Sequence, residues 1–126
     1  MNTKAPLILI VEPSLLCARL MQILLSKFEN YKVMHTTTAQ KAIDISNELQ
    51  PNLILTEMEL GDMTGLEFAK QLRNNSNTQY IPILGLSANA YSVDIKTALQ
   101  NGFDAYITKP YHLNDLYHGI TTYINT

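Results

Sequence analysis

Asn52–Gly65 reads NLILTEMELGDMTG. The apolar run Leu53–Leu55 meets three acids, Glu57, Glu59 and Asp62; a glycine-bounded turn follows, and a helical pattern opens at Thr64. An apolar strand that delivers a carboxylate at its C-terminal end is a common way to build a charged site in an α/β sheet. Thr64 and Glu67 have the spacing of a capping box, and Leu66, Phe68, Ala69 and Leu72 follow at helical positions. The stretch is one strand–turn–helix unit.

The same unit recurs outward in both directions. Leu7–Val11 is a continuous β-branched and leucine run, as in a strand buried on both faces. Glu12 and Pro13 end it, and Ser14 offers an N-cap. The helix expected next runs towards Phe28, with Leu15, Leu16, Leu20, Ile23 and Leu24 as its apolar face and charges opposite. Tyr31–Thr36 is less apolar and suits a sheet edge; Thr38 can cap a helix that Gln50-Pro51 stops near Leu49. Downstream, Ile81–Leu86 and Phe103–Thr108 read as strands, and Val93–Gln100 and Leu113–Ile124 as helices, with Asn101-Gly102 as a C-cap. The pattern predicts one α/β domain over residues 1–126, a (βα)5 doubly wound fold with a parallel sheet and helices on both faces.

Such sheets carry their site at the C-terminal strand ends. Those ends hold Glu12, Glu57, Ser87 and Lys109, two acids, a hydroxyl and a lysine from four strands. Two carboxylates on neighbouring strands repel unless a cation lies between them, and Lys109 or a divalent ion would serve. Taken singly, each residue also has an ordinary reading: solvated acids, a capping serine, a lysine before a helix-stopping proline, and Tyr106 as a sheet-face aromatic.

The bulk numbers set limits. The chain has 126 residues, 46% hydrophobic and 16% charged, with a net charge of −2, so a packed globular core is expected and a basic nucleic-acid footprint is not. One cysteine, Cys17, forms no internal disulfide and reads as a small buried hydrophobe in a reducing compartment; the cytoplasm is the expected location. No apolar run is long enough to span a membrane. His35, His112 and His118 lack metal-site spacing and read as solvated, and the tyrosines of the C-terminal half read mainly as packing. There is no GxxxxGK[ST] phosphate loop, and EPSLLC after the first strand lacks the cradle of a flavin mononucleotide site.

Taken together, LILIVEP, PNLILTEMELGDMTGLEF, IPILGLSANA and NGFDAYITKP resemble the receiver domains of two-component response regulators, and the last two are most similar to receivers attached to hybrid sensor kinases. The resemblance implies a flavodoxin-like sheet of order 2-1-3-4-5. It also implies a site in which an acidic pair and an aspartate bind Mg²⁺ and the aspartate takes a phosphoryl group from a histidine kinase. Position by position, Glu12 matches the first acid of the pair, Ser87 the switch hydroxyl, Tyr106 the switch aromatic and Lys109 the phosphate-site lysine. Pro13 stands where the second acid belongs, Glu57 where the phosphoacceptor aspartate belongs, and Gly61 where a proline is usual.

These departures point to a non-enzymatic, degenerate receiver acting as a phosphorylation-independent interaction module. No cofactor is expected, with at most weak Mg²⁺ binding at Glu12, Glu57 and Glu59. The resemblance implies a protein partner, a histidine kinase, phosphotransfer or output domain, reached through the face made by helix four, strand five and helix five. The alternative is a working Mg²⁺-dependent phosphoacceptor using Glu57 or Asp62.

Overall fold

A computed structural model of the protein describes residues 5–28, 30–87, 92–108 and 110–124, with the backbone alone at 87 and 92–94. Five strands, β1 (Leu7–Val11), β2 (Lys32–Thr36), β3 (Leu53–Glu57), β4 (Ile83–Ser87) and β5 (Ala105–Thr108), alternate with five helices. The helices are α1 (Leu15–Leu25), α2 (Ala39–Leu49), α3 (Gly65–Arg73), α4 (Ser92–Gln100) and α5 (Leu113–Tyr123). The sheet is parallel in every pairing and its order is β2-β1-β3-β4-β5, as the sequence pattern and the resemblance together imply.

Side chains alternate across the sheet, and β1, β3 and β4 each feed two cores. Leu9, Val11, Ile54 and Ile83 point to the face covered by Ala39, Ala42, Phe68, Leu72 and Ala98 of α2, α3 and α4. Ile8, Ile10, Leu53, Leu55 and Leu84 point to the face covered by Met21, Leu25, Leu116 and Ile120 of α1 and α5. The caps are local chemistry. The hydroxyls of Ser14, Thr38 and Thr64 accept from the backbone N–H of Cys17, Lys41 and Glu67. Gly102, at φ +104°, lets Phe103 N–H reach back to the Ala98 carbonyl and close α4.

The first helix differs from its expected orientation. Its buried face is Ala18, Met21 and Leu25, while Leu15 (72%), Leu16 (71%), Leu20 (54%) and Ile23 (51%) are exposed. It also ends at Leu25, before Phe28. The strands β4 and β5 start two residues later than expected, because Asp104 accepts the Ile83 N–H on its side chain and donates its own N–H to the Ile83 carbonyl. Arg73 then knits this corner. Its guanidinium donates to the carbonyls of Gln79, Ile81 and Gly102 and pairs with Asp104 at 3.0 Å. Among the described residues no helix is long and apolar enough to cross a membrane.

Candidate functional site

The strand ends converge as expected at the backbone level. Val11 sits in register with Thr56, so Glu12 and Glu57 emerge side by side from β1 and β3. Ser87 ends β4 opposite Thr108, and Glu57 pairs with Leu86. The Ser87 side chain and all of Lys109 lie outside the described residues.

Each acid is engaged by a different donor. The Glu12 carboxylate is buried, 8% of the residue remaining exposed, and turns back to accept the Ser14 backbone N–H at 3.0 Å. Its main-chain carbonyl takes a 2.9 Å hydrogen bond from His35 Nε2. His35 is thus half-buried and tied to the strand end rather than solvated; His112 and His118 are exposed, as expected. The Glu57 carboxylate accepts from the Tyr111 hydroxyl at 3.2 Å. Burial raises the Tyr111 pKa far above its usual range, and the charges of Glu57 and Glu12 reinforce the shift, so the phenol stays protonated and donates.

Two other acids lie apart. Glu59 is exposed on a short antiparallel bridge with Thr64. Asp62 turns to the start of α2 and accepts from the backbone N–H groups of Ala39 (3.0 Å) and Gln40 (2.9 Å). The backbone hydrogen bonds from Gln40 and, less strongly, Ala39 hold its carboxyl below the ordinary value. Gly61 makes this reach possible at φ +87°, a conformation closed to proline. Its substitution for the usual proline therefore accompanies a differently built turn. Asp62 is a helix clasp here and is not presented to the cleft.

A Mg²⁺ ion coordinated as in the resembling family wants several hard oxygens in near-octahedral array. Pro13 contributes no carboxylate, and the Glu12 and Glu57 carboxylates are already turned to protein donors. Among the described residues no three His, Cys, Asp or Glu side chains come together as a ligand group. The donor set does not fit a receiver-type Mg²⁺ site in this arrangement.

Tyr106 lies on β5, half-buried against the cluster around Phe103 and Ile83. A methyl group built on Gly85 would stand 2.8 Å from its ring, so the glycine is what lets the ring lie against β4. The sequence reading missed the hydroxyl of Tyr111, which it treated as packing. It also missed a groove of about 700 Å³ bounded by Cys17, Leu20, Met21 and Leu24 of α1 with Pro110 and Tyr111. Cys17 is part of that wall and only half-buried.

Known proteins share the whole architecture. Residues 8–121 match the family described as response regulator receiver domain. The chain is 30% identical over 117 residues to the polar-differentiation response regulator DivK of Brucella ovis, covering 93% of this chain and 94% of that protein. The fold superposes on the receiver domain of sensor histidine kinase PA1611 from Pseudomonas aeruginosa, solved with a magnesium ion in its active-site cleft. The TM-score is 0.87 at 24% identity, over 98% of this chain and 100% of that one. It also superposes on a chain of the Saccharomyces cerevisiae co-crystal of the phosphotransfer protein Ypd1 with the Ssk1 receiver domain. That match has a TM-score of 0.83 at 26% identity and covers 98% of this chain and 91% of the other. With the sheet order and the family match in agreement, the chain belongs to the response regulator receiver domains of two-component signalling.

Proposed function

We propose that this receiver works as a protein-interaction module without being phosphorylated, with Glu57 fixed in the phosphoacceptor place. The observation that carries the reading is Glu57 itself, at the end of β3 with its carboxylate held by Tyr111. A glutamate side chain is one methylene longer than aspartate, about 1.5 Å. In-line phosphoryl transfer depends on positioning finer than that. Pro13 removes the second metal-ligating acid, and with it much of the charge neutralisation that the transfer needs.

The partner is a protein of the same signalling class, a histidine kinase, a phosphotransfer protein or an output domain. Support for a phosphotransfer partner comes from the Ypd1–Ssk1 complex, one chain of which has the fold of this chain. The face we assign to it is α4, β5 and α5, where Tyr106 lies over Gly85 and Leu99 and Leu113 are exposed. Glu57 carries one negative charge against about −1.5 to −2 for a phosphoryl group, and in the phosphoacceptor place it either imitates part of that charge or closes the site. The module needs no cofactor and acts in the cytoplasm.

Incubation with acetyl phosphate and Mg²⁺, followed by intact-protein mass measurement, tests this. No gain is expected. A gain of one phosphoryl group that disappears in Glu57→Gln establishes the phosphoacceptor alternative instead.

A further inference from the structure

Tyr111 occupies two environments at once. Its hydroxyl donates to Glu57 Oε2, and its ring forms part of the apolar wall shared with Cys17, Met21 and Leu24 of α1. Tyr111 is packed on the core cluster around Met21, Leu25 and Leu116 and borders the groove beside it, so the core helps to set where the hydroxyl stands. Glu57 therefore meets a hydroxyl donor on the α5 side of the cleft. Glu12, on the adjacent strand, is meanwhile turned to the Ser14 N–H. Among the described residues the two carboxylates thus accept from separate protein donors.

We propose that Tyr111 is a positioning residue whose hydroxyl holds the Glu57 carboxylate on the α5 side of the cleft, in the role a divalent cation would otherwise fill. A cation held between Glu57 and Glu12 must turn the Glu57 carboxylate away from this hydroxyl, so Tyr111 competes with metal for the orientation of the acid. The inference stands apart from whether Glu57 is ever phosphorylated.

The test uses the full chain with its glutamates ¹³C-labelled at the side-chain carboxyl and Mn²⁺ as the probe, compared among wild type, Tyr111→Phe and Tyr111→Phe/Glu57→Gln. Tyr111→Phe keeps the ring in the wall and removes only the hydroxyl; the amide spectrum verifies that each variant is folded. The expected result is a displaced Glu57 carboxyl resonance with that of Glu12 unmoved. Paramagnetic broadening at Glu57 should set in at a Mn²⁺ concentration about tenfold lower in Tyr111→Phe than in wild type, equivalent to about 1.4 kcal/mol. The double variant should lose the added affinity. An unchanged Glu57 resonance, equal Mn²⁺ midpoints in wild type and Tyr111→Phe, or added affinity that survives Glu57→Gln each overturns the proposal. No phosphodonor is present, so failure here leaves the mass measurement to stand or fall separately.

Discussion

Replacing Gly85 by alanine places a methyl group 2.8 Å from Tyr106 Cδ2, well inside the 3.4 Å at which ordinary contact begins. The same methyl meets Phe103 Cδ2 and Cε2 at 3.2 Å, and Phe103 is only 4% exposed, so it cannot retreat. Tyr106 is half-buried and can rotate towards solvent, which gives up its packing on the core. Over-packing of this kind costs about 1–3 kcal/mol. For a chain of this length that is a fall in melting temperature of roughly 4–12 °C. A double-mutant cycle isolates the cause. In a Tyr106→Ala background the closest contact is gone, and Gly85→Ala should cost at least about 1 kcal/mol less than in wild type, a coupling typical of touching side chains. Denaturant melts of the four proteins measure it. Additivity within about 0.5 kcal/mol would refute the assignment of Gly85 as the seat of the Tyr106 ring.

Asp62→Ala removes a clasp from the α2 N-terminus and should cost about 1 kcal/mol at neutral pH, less if the Thr38 cap compensates. Because the folded-state carboxyl titrates below its ordinary 3.8, its contribution is complete above that pH and is lost as pH falls through the lower folded value. Wild type and variant should therefore converge in stability in acid, which parallel melts at pH 7 and near pH 3 will show. Arg73→Lys keeps the charge but cannot span the carbonyls of Gln79, Ile81 and Gly102 with Asp104, and a loss of about 2 kcal/mol is expected by chemical denaturation. On α1, Leu16→Ala should change stability by no more than about 0.5 kcal/mol, whereas Met21→Ala should cost about 2–3 kcal/mol. Equal costs would mean that the helix packs by the face the sequence suggests.

That last pair marks where the sequence could and could not be read. β1 and β3 are legible because a strand buried on both faces is a plain apolar run, and LILIV and LIL leave little else to be. α1 is ambiguous for the opposite reason. Its eleven residues, LLCARLMQILL, are apolar almost all round, so periodicity does not choose a face. Glu57 and Glu12 were found from their strand ends, since in a parallel sheet position alone brings them together. The partners of Asp62, Tyr111, His35 and Arg73 lie more than twenty residues away in the chain for at least one bond each, and no local pattern announces such a contact. A signal was available for Tyr111, a phenol placed just after Pro110 where the acidic strand ends gather. Gly61-Asp62 also carried one, since a glycine where proline is usual permits a left-handed turn.

The Arg73 corner bears on how the chain is completed during synthesis. A polypeptide leaving the ribosome N-terminus first can lay β2 and then β3 against β1 as soon as residue 57 is free, because those pairings lie wholly within the first half. The far corner has to wait: Ile83 and Arg73 both depend on Asp104, and Arg73 also on the Gly102 carbonyl. β4 can lie on β3 earlier, with the Ile54 N–H donating to the Pro82 carbonyl, yet its outer edge stays unpaired until the last βα unit begins to emerge. A nascent chain halted before that point should carry a settled N-terminal half and a loosely held fourth strand, and protease digestion of stalled chains would find its cuts there.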